Sequence, residues 1–237
     1  MKCKIYVINV TELNNEEVFD YWMSRMPQKR RDKIDRIKPL PEKCRSLGAG
    51  ILFLHAMKEW NVDHELLETA NGENGKPYLV NAPGIYFNMA HSGDCAALAI
   101  ADEEVGIDIE AYGSPSRMKQ VIKRVLSSKE RDYIDKKYGL TADDSDLNCM
   151  FYRIWSMKES IIKCLGTGLA TDLREVEIEL WREGMGVYDC SAGGQSFLAK
   201  EYEDVTGYAI SVCFRSNTNV VFPEKISQLT PSGIEDI

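Results

Sequence analysis

Three short apolar runs, separated only by brief polar turns, lie in the middle of the chain. The runs are 85–90, 95–101 and 105–110, joined by turns at 91–94 and 102–104. Apolar runs of this length, rich in Ile, Val and Ala and bounded by Gly, Asp and Ser, are typical of β-strands. Since the connections are too short for a crossover, the strands should be antiparallel neighbours. The sequence therefore predicts a compact antiparallel meander over 85–110.

Helical patterns occur on both sides of these strands. Helices are predicted over 14–26, 42–60, 115–137 and 148–165, and further strands over 4–10, 175–180, 196–202 and 207–214. Each half of the chain thus pairs a long helix with about three later strands. This predicts an α+β fold of two similar lobes, each a small antiparallel sheet packed with a long helix. We place the N-terminal lobe at 1–103, the C-terminal lobe at 104–222 and a loose tail at 223–237.

The amino-acid composition argues against several classes of protein. The chain has 237 residues, of which 44% are hydrophobic, which is enough for a sizeable core. Its net charge of −8 argues against a nucleic-acid surface, which needs a basic excess. The seven cysteines include no CxxC pair, so reduced thiols fit better than disulfides or zinc. With no secretory signal and no apolar run long enough for a membrane helix, we expect a soluble cytoplasmic protein.

Two carboxylates stand out in the third predicted strand, Val105-Gly106-Ile107-Asp108-Ile109-Glu110. Side chains alternate faces along a strand, so Asp108 and Glu110 share one face. Paired carboxylates repel each other unless a cation joins them, and hard cations such as magnesium prefer oxygen ligands. The alternative is an ordinary half-exposed strand with solvated acids, and this segment alone does not exclude it.

Other polar residues have a functional and a simpler interpretation. On the predicted helix 148–165, Glu159 and Lys163 are one turn apart, which is also the spacing of a surface ion pair. His91 follows a strand, where a side chain meets ligand or solvent, although most histidines do no chemistry. Lys76 stands beside the glycine of a turn, where most lysines are simply solvated.

The order and content of these motifs resemble the 4'-phosphopantetheinyl transferase superfamily, in its two-lobed, surfactin-synthetase-activating type. Gly106-x-Asp108-x-Glu110 is similar to its metal motif, and Trp155-x-x-Lys158-Glu159-Ser160-x-x-Lys163 to its second signature. Further similar segments are Asn88–Ser92, Gly75-Lys76-Pro77 and Arg45 on the first long helix. The resemblance covers roughly residues 20–215.

The resemblance implies a magnesium-dependent transfer, with manganese as a possible substitute. The donor would be coenzyme A, and the acceptor a serine of an apo acyl or peptidyl carrier protein. It implies Asp108, Glu110 and Glu159 as metal ligands and Glu159, Lys163 and His91 as catalytic residues. It implies Arg30, Lys33, Arg45, Lys76, His91 and Lys163 as contacts to the donor. The donor would lie in a cleft between the lobes of a monomer, with neither nucleic acid nor membrane as partner.

The sequence departs from this pattern at Ala90, where similar proteins commonly have serine, so a hydroxyl contact to donor phosphates is missing there. Arg30 and Lys33 align with a one-residue ambiguity. Glu130 matches an acidic position of the family, but Ser127-x-x-Glu130 is equally a capping box. The residues also leave open a non-catalytic coenzyme A or nucleotide-binding module and a magnesium-dependent phosphohydrolase.

Overall fold

The computed structural model describes residues 2–63, 67–138, 144–180, 186–216, 219 and 221–235. The helices are α1 (Glu16–Arg25), α2 (Gln28–Asp35), α3 (Leu40–Glu59), α4 (Pro115–Val125), α5 (Ser128–Tyr138) and α6 (Asp144–Leu165). The strands are β1 (Cys3–Asn9), β2 (Thr69–Asn71), β3 (Pro77–Leu79), β4 (Tyr86–Ser92), β5 (Cys95–Ala101), β6 (Val105–Ala111), β7 (Glu177–Ile178), β8 (Val187–Ala192), β9 (Gln195–Tyr202), β10 (Tyr208–Arg215) and β11 (Ser227–Leu229).

Two sheets, each packed with one long helix, organise the fold. The first has the order β11-β1-β5-β4, and α3 packs against it. The second has the order β6-β10-β9-β8-β7, and α6 packs against β6 and β10. Each helix buries its apolar residues against its sheet, and the first sheet also takes in β11 from the C-terminal tail. The predicted α+β fold of two helix-on-sheet units is confirmed.

The opposite faces of the two sheets pack together in a third core. Ile5 and Val7 of β1 and Ile107 and Ile109 of β6 belong to this cluster. Strand β5, Cys95–Ala101, is buried along its whole length because it is covered on both faces. Its continuous apolar sequence follows from this position, since alternation appears only where one face of a strand meets water.

Side chains of β4 connect the two sheets. Asn88 Oδ1 accepts a hydrogen bond from Ile107 N (3.0 Å), and Ser92 Oγ accepts one from Ala111 N (3.1 Å). Asn88 and Ser92 are four residues apart on a strand and therefore point the same way. They satisfy backbone donors of β6 that β10 does not reach, which fixes β6 beside β4.

Several predicted details are wrong. Strand β6 does not continue the meander; it pairs with β10 in the second sheet. The helix predicted over 115–137 is two helices, because Ser127 begins a new capping box after α4 ends. Strand β8 is an additional element that the sequence patterns did not indicate.

The tail predicted as loose is ordered in its described part. Residues 227–229 form β11, which pairs in parallel with β1 at Tyr6–Ile8. Ser232 then donates to Glu12 through both its backbone N–H and its hydroxyl. Among the described residues no helix has the length and apolar character to cross a membrane, and all seven cysteines are free thiols.

Candidate active site between β6 and α6

Gly106 allows helix α6 to lie directly on strand β6. A Cβ atom at this position would stand 2.0 Å from the carbonyl oxygen of Ser160 and 2.5 Å from the backbone nitrogen of Cys164. Since these are backbone atoms, they cannot turn aside as a flexible side chain can. The glycine of the Gly-x-Asp-x-Glu motif therefore sets the distance at which the polar residues of α6 meet those of β6.

Asp108 and Lys163 form the centre of the site. Lys163 Nζ donates to Asp108 Oδ1 at 2.6 Å. Asp108 is 3% exposed, and its second oxygen, Oδ2, is buried without a hydrogen-bond partner. Ser156 of α6 donates to the backbone oxygen of Asp108, which fixes the strand at this residue. A buried carboxylate oxygen without a partner is unusual and marks a position where a ligand or ion could bind.

Glu110 and Glu159 are held near this pair. Glu110 Oε2 accepts a hydrogen bond from Ser92 Oγ (3.1 Å), and Glu159 Oε1 accepts one from Trp155 Nε1 (3.4 Å). Burial, and then the charge of Asp108, raise the pKa of Glu110 to about 7. The same two causes, in the same order, raise the pKa of Glu159. The negative charges of the predicted metal ligands thus act on one another.

Lys163 supplies positive charge to all three carboxylates. Burial lowers its pKa, but the charge of Asp108 and the hydrogen bond to it, followed by the charges of Glu159 and Glu110, outweigh burial and raise the pKa overall. Within the described ranges, no group of three or more His, Cys, Asp and Glu side chains already has the arrangement of a metal site. The donor set nevertheless fits a hard divalent cation, because it is all carboxylate oxygen and includes the unpartnered Oδ2 of Asp108.

Arg45 and His91 lie together beside this centre. Arg45 of α3 donates through one terminal nitrogen to Gly93 O (2.8 Å) and through the other to Glu42 Oε1 (2.7 Å). His91 is exposed at the end of β4, and partial burial of its ring followed by the charge of Arg45 lowers its pKa. Lys163 contributes in the same direction, so Arg45, His91 and Lys163 lie within electrostatic reach of one another.

Lys76 makes its hydrogen bonds away from the carboxylate centre. Its ammonium group donates to Cys164 O (3.1 Å) at the end of α6 and to Val105 O (3.3 Å) at the start of β6. A cation at the carboxyl end of a helix interacts favourably with the helix dipole. The side-chain amide of Asn74 also donates a hydrogen bond to Gly166 O. The Gly-Lys-Pro turn therefore joins the N-terminal half of the chain to the base of the α6–β6 unit.

Arg30 and Lys33 lie on α2. The guanidinium of Arg30 donates to the backbone oxygen of Ser46 on α3, and its Nε is buried without a partner. Burial lowers the pKa of both residues, and the charge of Arg30 adds to the effect on Lys33. Arg30 thus packs against the helix that carries Arg45, while Lys33 is exposed.

Comparison with known proteins agrees with the resemblance that the site motifs indicate. The sequence profile of the 4'-phosphopantetheinyl transferase superfamily matches residues 104–213, which include Asp108, Glu110, Glu159 and Lys163. The 4'-phosphopantetheinyl transferase Sfp of Bacillus subtilis (strain 168) is 29% identical over 228 residues, covering 96% of this chain and 97% of that protein. Over residues 104–213 the chain is similar to the 4'-phosphopantetheinyl transferase superfamily, and over nearly its whole length it is similar to Sfp.

Other phosphopantetheinyl transferases match this chain over different lengths. The Bacillus subtilis transferase ffp is 28% identical and, like Sfp, matches over nearly the full length, with 96% of this chain and 97% of ffp covered. The L-aminoadipate-semialdehyde dehydrogenase-phosphopantetheinyl transferase of Pongo abelii is 33% identical over 145 residues, which cover 56% of this chain and 46% of that protein. The end-to-end likeness is thus to the Sfp type.

Glu130 lies outside the carboxylate centre formed by Asp108, Glu110 and Glu159. Its Oε2 accepts from Lys158 Nζ (2.7 Å) and from Ser127 N (2.8 Å), and Lys158 also donates to Val125 O and Leu173 O. Lys158 is 0% exposed. The capping-box interpretation of Glu130 is confirmed, and the second signature contributes Lys158 to the same buried ion pair. This pair ties α4, α5 and the turn at 173–175 to the helix that carries Glu159.

Sequence reasoning did not assign a positioning role to four residues that hold the candidate site in place. They are Asn88, Ser92, Trp155 and Ser156, which hold β6, Glu110, Glu159 and Asp108, respectively. The four-residue spacing of Asn88 and Ser92 on a strand was the available signal, since both had to face one side. Ala90 lies between them on that face and is buried among apolar residues, so it faces the core rather than solvent.

Proposed function

We propose that this protein transfers the 4'-phosphopantetheine group of coenzyme A to a serine hydroxyl of an apo acyl or peptidyl carrier protein. The observation that carries the proposal is the meeting of Asp108 and Lys163, with an unpartnered buried oxygen on Asp108, in a chain that resembles Sfp from end to end. A carboxylate centre beside a group of cations is suited to a substrate that carries several phosphates.

The reaction is a displacement at phosphorus. A bond forms between the serine oxygen and the β-phosphorus of coenzyme A, and the bond from that phosphorus to the bridging oxygen breaks. Adenosine 3',5'-bisphosphate leaves with the bridging oxygen. Glu159 takes the serine proton, because it is the carboxylate on α6 and lies beside Asp108 and Lys163.

Asp108, Glu110 and Glu159 would hold a magnesium ion, with manganese as a substitute. A divalent cation bound there would neutralise the charge of the pyrophosphate. The hydrogen bonds that Ser92 and Trp155 donate to Glu110 and Glu159 would hold these two ligands in place. Lys163 orients Asp108 and adds a positive charge that a phosphate oxygen can share.

The remaining cations would bind the donor. His91 and Lys163, which lie beside the carboxylate centre, would contact phosphate oxygens. Arg45 would hold the phosphate on the ribose, because a guanidinium can bind it through two N–H groups. Arg30 and Lys33 would assist Arg45. Lys76 would contribute once its ammonium group leaves the backbone oxygens of Val105 and Cys164, to which it donates in this structure. Arg45, His91 and Lys76 come from the N-terminal half, and Lys163 and the carboxylates come from the C-terminal half. The donor would therefore lie between the halves of a monomer.

Intact-protein mass spectrometry tests the proposal. Several apo carrier proteins are incubated with this protein, coenzyme A and magnesium chloride, with an EDTA control. We expect the carrier to gain the mass of one phosphopantetheine and the gain to disappear with EDTA. Release of adenosine 3',5'-bisphosphate without carrier modification would instead indicate a phosphohydrolase. Binding of coenzyme A with neither product would indicate a binding module.

A further inference from the structure

Glu42 places a negative charge beside the predicted phosphate contacts. Glu42 Oε1 lies 2.7 Å from a terminal nitrogen of Arg45, one turn further along α3. The other terminal nitrogen of Arg45 donates to Gly93 O, in the turn that follows His91. The guanidinium is therefore held between the backbone of that turn and a carboxylate of its own helix.

The two partners differ in their exposure. The side chain of Arg45 is 16% exposed, whereas that of Glu42 is 47% exposed. Glu42 can therefore turn into solvent at small cost, because exposed ion pairs contribute little to stability. Arg45 cannot move as freely, since Gly93 O also holds it. An anion approaching Arg45 meets a fixed cation with a displaceable counter-charge.

Glu42 is a negative charge close to three residues that are assigned to the donor, namely Arg45, His91 and Lys163. The groups whose charges act on His91 include Arg45 and Lys163, which disfavour its protonated form, and Glu42, which favours it. Glu42 thus lies within the same small cluster as the residues assigned to the donor. A carboxylate in such a cluster opposes the binding of a phosphate, because like charges repel at short range.

We propose that Glu42 is a specificity-determining residue, a displaceable counter-charge that occupies Arg45 in the free protein and gives way to the ribose phosphate of coenzyme A. This inference rests on the proposed function, in which Arg45 binds that phosphate. Glu42 and the phosphate compete for the same N–H groups. Glu42 therefore weakens the binding of the donor and of adenosine 3',5'-bisphosphate, and it favours release of this product after transfer.

Isothermal titration calorimetry of two variants tests the inference. Glu42→Gln keeps an oxygen that accepts from Arg45 but removes the charge, and Glu42→Ala removes both. The ligands are coenzyme A, adenosine 3',5'-bisphosphate and dephospho-coenzyme A, which lacks the ribose phosphate. We expect both variants to bind the first two ligands about threefold to tenfold more tightly, as expected for loss of one partly screened like charge. Their affinity for dephospho-coenzyme A should stay within about twofold of the wild type, since no phosphate then faces position 42.

Two controls isolate the interaction. Glu16→Gln removes a carboxylate from the first turn of α1 and reproduces the change in net charge and in the helix terminus. It should leave all three affinities unchanged. In an Arg45→Gln background, Glu42→Gln should no longer tighten binding, because the competition for Arg45 has been removed.

Other results would overturn the inference. If Glu42→Ala weakens binding and Glu42→Gln leaves it unchanged, Glu42 positions Arg45 and does not compete with the ligand. Equal tightening of dephospho-coenzyme A would show a general charge effect. If wild-type protein binds coenzyme A and dephospho-coenzyme A with equal affinity, Arg45 does not bind the ribose phosphate and the inference fails. Failure of the proposed function is a separate result, namely the absence of transfer to any carrier by the wild-type protein.

Discussion

Lys163 Nζ lies 2.6 Å from Asp108 Oδ1, so a cation of helix α6 is paired with a carboxylate of strand β6 while Asp108 Oδ2 stays buried and unpartnered. The contact joins two motifs that are 55 residues apart in the sequence. It also explains how Asp108, which is 3% exposed, can lie near two further carboxylates. The ammonium group of Lys163 offsets part of their mutual repulsion.

Asp108→Asn should abolish most of the transfer activity while the protein stays folded. The asparagine oxygen can still accept from Lys163, but the side chain no longer carries the charge that a divalent cation needs. We expect the rate of carrier modification to fall on the order of 100-fold or more, as for loss of one electrostatic contact to a reacting group. The rate is measured by intact-protein mass spectrometry and the fold by thermal unfolding.

The matched control is Asp20→Asn, an exposed carboxylate on α1, which should transfer at the wild-type rate. A wild-type rate for Asp108→Asn would remove Asp108 from the site. Loss of cooperative unfolding in Asp108→Asn would show that the residue is structural instead.

Gly106→Ala should destabilise the protein by forcing α6 away from β6. The new Cβ would meet backbone atoms of Ser160 and Cys164, at 2.0 and 2.5 Å. Overpacking of this kind costs about 1–3 kcal/mol or more of unfolding free energy. Transfer should also fall, because Lys163 and Glu159 move with the helix. Chemical denaturation measures the first effect and mass spectrometry the second.

Gly72→Ala is the comparison for this variant, since its Cβ would meet only Lys76 O, at an ordinary 3.6 Å, and no positive φ is involved. It should be stable and active. If Gly106→Ala unfolds at the same denaturant concentration as Gly72→Ala, the close approach of α6 and β6 is not needed for stability.

Glu130→Ala should be strongly destabilising, because it leaves the ammonium of Lys158 buried without its carboxylate. Both side chains are almost fully buried, and the distance between Lys158 Nζ and Glu130 Oε2 is 2.7 Å. Removing one partner of a buried ion pair costs about 3–5 kcal/mol of unfolding free energy. Urea unfolding followed by circular dichroism measures this difference.

The ion pair between Lys129 and Glu177 offers a control in the same region, since both side chains are largely exposed. Glu177→Ala should change the unfolding free energy by less than about 1 kcal/mol. A double change, Glu130→Leu with Lys158→Met, should cost less than the sum of the single changes. Simple additivity would mean that the two residues do not stabilise each other.

Asn88→Ala should weaken the connection between the two sheets. Asn88 is 4% exposed, and its loss leaves the backbone N–H of Ile107 buried without an acceptor. An unsatisfied buried donor costs about 1–3 kcal/mol. Because Ile107 precedes Asp108, we also expect the transfer rate to fall. Denaturation and the transfer assay measure the two effects.

Asn9→Ala provides the exposed counterpart of this change. Asn9 Oδ1 likewise accepts from a backbone N–H, that of Thr11, but in an exposed setting where water can replace it. The variant should lose about 1 kcal/mol or less. An equal loss in both variants would contradict a special role for Asn88.

Local pattern in the sequence determined most of the helices and strands, because periodicity and turn chemistry act over a few residues. The acid pair on β6, the Glu159–Lys163 turn of α6 and the helix-on-sheet character of each half were all predictable in this way. The same patterns could not assign β6 to its sheet. Both the meander and the observed pairing with β10 satisfy the alternation of residues 105–110, and only the long-range contacts of the folded chain choose between them.

Tertiary structure alone decided which polar groups from distant parts of the sequence meet. Lys76 donates to the end of α6, Arg30 to α3 and Lys158 to Glu130, and each of these contacts spans at least 16 residues of sequence. The described end of the tail docks on β1 for the same reason, since an edge strand can accept any segment that the fold brings alongside it. Sequence determined the residue types available for chemistry, whereas packing of the two sheets determined their neighbours, because burial and hydrogen bonding depend on contacts that no local pattern records.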